Sequence, residues 1–398
     1  MKIICIGGGA ASFFFAANAA KNHDITIVEQ GKEVLQKVRI SGGGRCNVTH
    51  DCHDPMELVQ HYPRGRKELL GPFYHFGPAQ MIEWLNERGV PLKIEADGRM
   101  FPITNSSQTI IDCLKNACEA HGVQVKTGHK VKKILPLNKG EKGYDIEFLN
   151  HATEHFDAVF IGTGSSKAAW QMLEHLGHTV VPGVPSLFTF SIKDARIKDL
   201  PGVAVNDVEV HIPGQKKHTT GPLLITHKGL SGPAILKLSA QLAPFFHSCN
   251  YTTQVVVDFL PALSEAEIRD FRNHEGKRLL NNYQLFGLPK RLFFSLLRAS
   301  QLDGQKKWAT LSNGEIDRLV HQLKHCTFQI QGQNRFKEEF VTAGGIDLKE
   351  IDFINFSSKR FANMYLAGEV LNIDAVTGGF NFQAAWTGAY LAAQSVCA

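Results

Sequence analysis

The N-terminal sequence reads KIICIGGGAAS over residues 2–12 and ITIVE over residues 25–29. The first run is an apolar strand followed by a glycine turn that opens a helix, and the second is a strand that ends in a carboxylate. Here Gly7 permits the tight turn, and Gly9 lets the backbone approach a pyrophosphate at the helix start. Glu29 lies twenty residues beyond Gly9, where a carboxylate accepts hydrogen bonds from an adenosine ribose. This segment predicts a dinucleotide-binding βαβ unit.

One residue of this segment departs from the usual pattern. Ser12 stands where a third glycine is expected, in the region where helix and strand pack most closely. Because serine is small, we expect the turn to be retained. The alternative is a Rossmann-like unit without a nucleotide, but a strand, turn, helix and acid at these spacings favour the nucleotide. The phenylalanines at residues 13–15 predict core packing.

The C-terminal sequence carries a second glycine turn. LAGE at residues 366–369 is a strand end with an acid, and TGGFNFQ at residues 377–383 opens a helix. The two ends of the chain together predict bound FAD. The sequence IGTG at residues 161–164 resembles a further dinucleotide fingerprint. However, Lys167 stands where a small residue belongs, and no acid follows at the required distance. We therefore expect no separate NAD(P)H domain, so a nicotinamide would reach the flavin transiently.

The composition bounds the class of protein. A chain of 398 residues exceeds one hydrophobic core, so two or three domains are expected. The hydrophobic fraction of 43% and the charged fraction of 20% are ordinary for a globular protein, and no apolar run approaches the roughly 20 residues that span a bilayer. The sequence begins directly with a strand, which argues against a signal peptide. Eight cysteines without a CxxC pair fit a reducing compartment, so we expect a cytoplasmic protein.

Metal and nucleic-acid sites are not indicated by the sequence. Cys46, His50, Cys52 and His53 are close together but match no zinc spacing, so we predict no metal. The formal net charge is +5, yet the basic residues are not concentrated in one strip, and a nucleic-acid partner is therefore not expected. The sequence does not indicate an oligomeric state.

The order of strand and helix patterns predicts an α/β protein with an insertion. Strands and helices alternate up to residue 185, and alternating apolar segments between Gly/Pro turns then predict a β-barrel-like domain over residues 186–262. A capping sequence at Ser264 begins a small helical domain over residues 263–329. We predict that residues 1–185 and 330–398 form one Rossmann-like FAD-binding domain, interrupted by these two domains.

Four sequence blocks carry a family resemblance over essentially the whole chain. They are KVRISGGGRCN at residues 37–47, THKGLSGP at residues 226–233, LPKRL at residues 288–292, and AGEVLNIDAVTGGFNFQ at residues 367–383. These blocks resemble those of the BaiN/YhiN-type NAD(P)/FAD-dependent oxidoreductases, some of which are described as aminoacetone-oxidase-like flavoproteins.

The resemblance implies FAD with its ADP half in the N-terminal unit. It implies that Lys37 and Arg45 neutralise phosphate charge, although either could equally be a solvated surface cation, and that Glu369 holds the ribityl hydroxyls. The helix start near Gly378 would face the flavin pyrimidine. The predicted cofactor-binding residues are Gly7, Gly9, Ala10, Ala11, Ser12, Glu29, Gln30, Lys37, Ser41, Gly42, Gly43, Gly44, Arg45, Cys46, Asn47, Val131, Thr163, Gly164, Gly368, Glu369, Asp374, Gly378, Gly379, Phe380, Asn381, Phe382 and Gln383.

One segment departs from the family pattern. After Thr163 and Gly164, similar proteins often carry a longer segment with glycine and proline, whereas here residues 165–167 run directly into a predicted helix. The contacts of this loop, and with them the substrate pocket, are expected to differ.

The candidate acid–base groups are His227, in a turn of the inserted domain, and Cys46, beside the glycine turn. A structural histidine and a thiol that only packs beneath the flavin are the alternatives. The leading hypothesis is an FAD-dependent oxidoreductase acting on a small organic substrate. Either NAD(P)H reduces the flavin, which then reduces an activated C=C bond, or an amine is oxidised and oxygen reoxidises the flavin. An FAD-dependent tRNA-modifying enzyme and a flavin-binding regulatory protein are further alternatives.

Overall fold

The computed structural model describes residues 1–137, 143–334 and 341–397 and divides the chain into two compact units. The first unit comprises Met1–Val184 and Val341–Ala398, and the second comprises Pro185–Phe340. The second unit is therefore an insertion between two parts of the first.

The strands, in chain order, are β1 Lys2–Ile6, β2 Asp24–Glu29, β3 Thr49–His50, β4 Leu92–Ile94, β5 Arg99–Pro102, β6 Gln124–Thr127, β7 Val131–Pro136, β8 Tyr144–Phe148, β9 Glu154–Phe156, β10 Ala158–Ile161, β11 Val180–Ser186, β12 Thr189–Ile192, β13 Ala204–His211, β14 His218–Thr226, β15 Gly229–Ser231, β16 Thr252–Asp258, β17 Cys326–Asn334, β18 Val341–Ile346, β19 Ile351–Asp352, β20 Ser357–Ser358 and β21 Met364–Leu366.

The α-helices are α1 Ala10–Ala19, α2 Gln36–Gly44, α3 Pro55–Leu58, α4 Leu70–His75, α5 Pro78–Asn86, α6 Ser107–Glu119, α7 Lys167–Leu176, α8 Pro233–Gln241, α9 Ala243–Ser248, α10 Glu265–His274, α11 Lys290–Ala299, α12 Asn313–Lys324 and α13 Phe380–Cys397. Short 3₁₀ helices lie at Ala20–Asn22, Val59–His61, Tyr283–Phe286, Trp308–Thr310 and Leu348–Glu350. Across the described residues, no helix combines the length and the apolar character needed to cross a membrane.

The first unit is built on a seven-stranded sheet in the order β19-β20-β21-β10-β1-β2-β6. The pairs from β6 to β21 are parallel, and β19 and β20 are antiparallel at one edge. The central strands are apolar on both faces, as parallel strands covered by helices must be. The predicted Rossmann-like α/β fold is confirmed.

The two ends of the chain pack together on this sheet. Phe15 of α1 stacks on Phe160 of β10 with ring centroids 4.3 Å apart. The ring centroids of Phe14 and of Trp386 in α13 are 5.2 Å apart, and both side chains are fully buried. The apolar start of α1 therefore anchors the C-terminal helix, so the glycine turns that precede α1 and α13 belong to one compact unit.

The second unit contains a closed barrel of strands in the order β12-β15-β14-β13-β16-β17. The predicted β-barrel-like insertion is confirmed. The strand β17 follows the helices in sequence but pairs with both β12 and β16, which closes the barrel. Buried side chains of α10 to α12 belong to the same hydrophobic cluster as those of the barrel strands. The three-part division at residues 185, 262 and 329 stays a prediction.

Candidate functional site

The first glycine turn has a backbone that only glycine adopts easily. Gly7 has φ +101°, and a Cβ on it would lie 2.7 Å from the carbonyl oxygen of Gly162. Its N–H donates to the carbonyl of Val28 at 2.8 Å, which ties the turn to the end of β2. The Cα of Thr163 would lie 2.8 Å from the same Cβ. The glycine turns at residues 7–9 and 162–164 are therefore adjacent, and both contain predicted cofactor-binding residues.

The start of α1 presents unused hydrogen-bond donors. Gly9 caps the helix without a side-chain hydrogen bond, and in the described part of the chain the N–H groups of Gly9, Ala10 and Ala11 donate to no protein acceptor. The hydroxyl of Ser12 is fully buried and likewise has no partner within these ranges. Free amides at the positive end of a helix dipole fit the pyrophosphate of a dinucleotide.

The carboxylate of Glu29 is held in a fixed orientation at the end of β2. It accepts from the N–H of Gly8 at 2.8 Å and from the N–H of Gly31 at 2.7 Å. The carbonyl of Glu29 accepts from the N–H of His129 at 2.9 Å, which brings the beginning of β7, at Val131, to the same edge. Gln30 is exposed beside it. These positions fit an adenosine held by a carboxylate and a neighbouring backbone.

The glycine turn at residues 42–44 is a run of left-handed residues at the end of α2. The φ angles are +57° at Gly42, +68° at Gly43 and +83° at Gly44, and Cys46 follows at +61°. A Cβ on Gly42 would lie 2.8 Å from the Phe101 ring, whereas a Cβ on Gly43 would meet no protein atom within 4 Å. The backbone at Gly43 therefore faces open space that a ligand can enter. Ser41, at the head of this turn, donates its hydroxyl to the carbonyl of Val38 at 3.0 Å.

Two predicted phosphate-neutralising cations have different surroundings. Arg45 pairs with Glu95 at 2.5 Å and lies 4.0 Å from the centroid of the Phe101 ring, so protein groups already hold it in place. Lys37 forms an ion pair with Glu369 and donates to the Ser165 hydroxyl at 3.3 Å, while 58% of its side chain remains exposed. Lys37 therefore keeps donor capacity for an anionic ligand.

Lys37, Gly164 and Glu369 come from three separate segments and meet at one point. A Cβ built on Gly164, which has φ +60°, would lie 3.7 Å from Lys37 Nζ and 3.8 Å from Glu369 Oε2. Gly368, with φ +80°, precedes this carboxylate and would place a Cβ 3.6 Å from both Ala11 and Ala385. The structure thus brings together the predicted ribityl-binding acid and the first glycine turn.

The thiol of Cys46 is fully buried. Burial raises its pKa to about 12, and a hydrogen bond with Ser41 only partly opposes this. A thiol with such a pKa stays protonated at neutral pH, so the geometry gives no support to a thiolate role. The packing role considered above agrees with these observations.

The C-terminal block is held by hydrogen bonds to Asn47 and Thr49, which follow the glycine turn at residues 42–44. With its amide oriented to satisfy both neighbours, Asn47 accepts from the Gly379 N–H at 2.9 Å and donates to the Thr49 carbonyl at 3.1 Å. The Thr49 hydroxyl donates to Gln383 Oε1 at 2.6 Å in the interior. Asn381 accepts from the Ala375 N–H at 2.9 Å. These contacts fix the start of α13, and Phe382 stacks on Trp386 within that helix.

Asp374 is fully buried and forms an ion pair with Arg64, whose side chain is 16% exposed. Two guanidinium nitrogens of Arg64 donate to the two carboxylate oxygens. A bidentate pair of this kind fixes geometry strongly. Asp374 is among the predicted cofactor-binding residues, and that role stays a prediction; in the structure its carboxylate is held by Arg64.

An aromatic cluster at the start of α13 was not predicted from the sequence. The His61 ring stacks on Phe380 with centroids 4.1 Å apart and planes 10° apart. The His50 ring lies 4.5 Å from Phe380, and its Nδ1 is 3.0 Å from the Gly378 carbonyl oxygen. Tyr62 donates its hydroxyl to the Phe380 carbonyl at 2.6 Å. The sequence hinted at this cluster only through the several histidines that follow the glycine turn at residues 42–44.

His227 lies in the second unit, at the exposed turn between β14 and β15. Its role as an acid or base stays a prediction. Of the predicted residues, the first unit contains all those assigned to the cofactor.

The family model described as "HI0933-like protein Rossmann domain" matches residues 1–395. This chain belongs to the HI0933-like family. This match confirms the family resemblance that the sequence carried and the Rossmann domain that it predicted.

Several relatives in the curated set are similar over their full length. A ribosomal RNA dihydrouridine synthase of Escherichia coli is 29% identical over 409 residues, which cover 99% of this chain and 98% of the relative. The protein of the same name from Haemophilus influenzae is 28% identical over 405 residues, with the same coverage. A 3-dehydro-bile acid delta(4,6)-reductase of Clostridium scindens is 26% identical over 411 residues, again with 99% and 98% covered.

The fold is also similar to those of solved structures. The 3-ketosteroid-delta4-(5alpha)-dehydrogenase of Rhodococcus jostii has a TM-score of 0.56 at 12% identity, covering 100% of this chain and 96% of that chain. A flavocytochrome c3 fumarate reductase has a TM-score of 0.51 at 13% identity, covering 99% and 78%. At such low identity this likeness concerns the fold alone.

Proposed function

We propose that this HI0933-like protein reduces a C=C bond conjugated to a carbonyl group, with FAD as its cofactor. One observation carries the proposal: a site whose free amides and fixed carboxylate fit FAD lies in a chain that aligns end to end with reductases of such bonds. Both a uracil ring and a 3-oxo steroid with adjacent unsaturation contain this bond. Bound FAD would supply hydride transfer.

The residues of the chain position the cofactor and balance its charge. Glu29 would accept from the adenosine ribose, and the open amides before α1 would receive the pyrophosphate. Lys37 would add a cation while Glu369 holds hydroxyl groups of the ribityl chain. The eighteen-residue helix α13 would direct its positive end, at Phe380, toward the ring carbonyl groups.

We propose a uracil base of ribosomal RNA as the substrate. Two relatives at 28% and 29% identity over the whole chain carry that activity in their names. The formal net charge of +5 suits a polyanionic partner. The sequence alone favoured a small organic substrate instead, because its basic residues are not concentrated in one strip.

A small enone is the second candidate substrate. It is favoured by the bile acid reductase of Clostridium scindens, at 26% identity over the same length. We further propose that NAD(P)H is the electron donor and that it visits the flavin without a dedicated domain, in the cytoplasm.

The test is anaerobic absorbance of the flavin band in purified protein. NADH or NADPH is added first, and the reduced protein is then mixed with ribosomal RNA from a strain lacking the gene or with a 3-oxo-Δ4 steroid. We expect a nicotinamide to bleach the flavin and RNA to restore its colour. Dihydrouridine should then be found among the nucleosides by mass spectrometry.

Each other result assigns a different function. If only the steroid restores colour, the small-enone candidate holds. If nicotinamides are inert while amines bleach the flavin and air restores it, the protein is an oxidase and the proposal is wrong. If the reduced flavin passes electrons to no acceptor, a regulatory role replaces catalysis. His227→Ala tests whether that histidine acts when the reduced flavin passes electrons to the substrate. If it does, the flavin of this variant should be reduced at the wild-type rate while the substrate is reduced more slowly.

A further inference from the structure

A set of metal-ligating side chains lies on the barrel of the second unit. Within the described ranges it consists of Glu209 and His211 on β13 and His218 on β14. One potential ligand atom from each residue lies within 4.8 Å of the other two. We propose that these three residues form a binding site for a divalent transition-metal ion of the zinc class.

The register of the hairpin places the three side chains together. His211 at the end of β13 pairs directly with His218 at the beginning of β14. Glu209 is two residues before His211, so its side chain points to the same face of the sheet. The site therefore rests on paired strands whose spacing is fixed by backbone hydrogen bonds.

The three side chains are close enough for rotation about their own bonds to bring them onto one ion. The two imidazole rings lie face to face, with centroids 4.5 Å apart and planes 13° apart. His218 Nδ1 is 2.8 Å from Glu209 Oε1. Zinc–nitrogen distances of about 2.0–2.1 Å place tetrahedral ligand atoms roughly 3.3 Å apart, so rotation of the side chains alone can close the set.

The chemistry of the donors indicates the class of ion. Two imidazoles and one carboxylate suit zinc and its neighbours rather than magnesium or calcium, which prefer oxygen ligands. Three protein ligands leave a fourth position open to water.

Two other ionisable residues near the cluster, Asp258 and His325, already have partners of their own. Asp258 pairs with Glu209 across β13 and β16, but it forms an ion pair with Lys324 at 2.7 Å. His325 is bound to Glu265 at 2.7 Å. No sequence spacing pointed to this site, because His211 and His218 come together only when the hairpin pairs.

Equilibrium dialysis of the FAD-loaded protein against zinc, followed by metal analysis, tests the proposal. We expect one ion per chain, and zinc X-ray absorption should show nitrogen and oxygen ligands only. His211→Ala and His218→Ala should each weaken binding by at least roughly tenfold, since even the loss of an outer-shell partner has that effect. Glu209→Gln preserves the shape of the side chain and should also weaken binding.

The matched control is His274→Ala. His274 is an exposed histidine that is 2.6 Å from Asp270 but lies outside the cluster, so this variant should bind zinc as the wild type does. Flavin content and circular dichroism of each variant establish that it is folded. Absence of saturable binding, sulfur ligands from the eight cysteines, or unchanged affinity in His211→Ala and His218→Ala would each overturn the proposal.

Discussion

Lys37 and Glu369 form an ion pair although they are 332 positions apart in the chain. Lys37 begins the first signature block after the N-terminal βαβ unit, and Glu369 follows the last strand of the parallel sheet. The side chain of Glu369 is 18% exposed and that of Lys37 is 58% exposed. Because an ion pair with so exposed a lysine contributes at most about 1 kcal/mol to folding, its place beside the glycine turns points to a role in ligand binding.

Glu369→Gln is expected to weaken FAD binding while leaving the fold intact. The substitution keeps the shape of the side chain but removes the charge that accepts hydroxyl hydrogen bonds, which is worth about 1.5–3 kcal/mol or roughly 10–100-fold in affinity. Titration of apoprotein with FAD, followed by flavin fluorescence, measures the change. Unchanged affinity would remove Glu369 from the cofactor site.

Glu29→Ala is expected to reduce FAD affinity by a similar roughly 10–100-fold, because the ribose loses its acceptor. The N–H groups of Gly8 and Gly31 also lose the carboxylate that they bind, so the glycine turn is held less firmly to the end of β2. The control is Glu33→Ala, an exposed acid on the same loop. If both variants lose FAD equally, the effect is one of surface charge rather than of the ribose contact.

Gly43→Ala separates a ligand contact from backbone strain. A Cβ on Gly43 meets no protein atom within 4 Å, so the folding cost is the left-handed backbone alone, about 1–2 kcal/mol. Gly89→Ala is the matched control, since Gly89 has φ +72° and equally open surroundings. We expect similar melting temperatures for the two apoproteins and loss of FAD binding only in Gly43→Ala. Equal FAD affinity in both would show that the turn does not approach the cofactor.

The parts that the sequence predicted are those encoded by local patterns. The strand, glycine turn and helix over residues 2–19 follow one another directly, so spacing alone revealed them. The pairing of β17 with β12 joins strands separated by the helices of the insertion, and no local pattern carries that information. The contacts of Lys37 with Glu369 and of Arg64 with Asp374 likewise depend on the completed fold.

Burial explains the remaining differences between what the sequence predicted and what the structure shows. The sequence places Cys46 beside a glycine turn, where a thiol can be reactive, but its full burial and raised pKa follow only from tertiary packing. The cluster of His50, His61 and Phe380 also depends on the approach of α13 to the segment after the glycine turn at residues 42–44.

Cys46→Ala is expected to retain the rate of flavin reduction and of substrate reduction. A thiol whose pKa is about 12 supplies neither a base nor a nucleophile near pH 7. The loss of a small buried side chain should instead lower the free energy of unfolding by roughly 1–2 kcal/mol. Stopped-flow absorbance and urea unfolding measure these quantities separately. A large fall in substrate reduction with intact FAD binding would restore the catalytic role.

The pair of His178 and Glu350 is expected to make stability fall in acid. Although burial acts to raise the pKa of the Glu350 carboxyl, hydrogen bonds from Thr179 and His178 lower that pKa to about 2. Between the ordinary carboxyl pKa and this value the unfolded chain binds more protons than the folded one, so stability is lost as pH falls through that window. Burial also lowers the pKa of His178, which acts in the same direction as pH falls below its ordinary value.

Glu350→Gln removes the charge that is responsible for the lowered carboxyl pKa. At pH 7 we expect it to reduce the free energy of unfolding by about 1–3 kcal/mol, since the hydrogen bonds lose their charged acceptor. The difference from wild type should shrink between pH 5 and about 2, as this carboxyl becomes protonated in the unfolded wild-type chain. Urea unfolding across this range measures it. Glu87→Gln, which removes an exposed partner of Arg88, should change stability little at any pH; a constant Glu350→Gln deficit down to pH 3 would contradict the assignment.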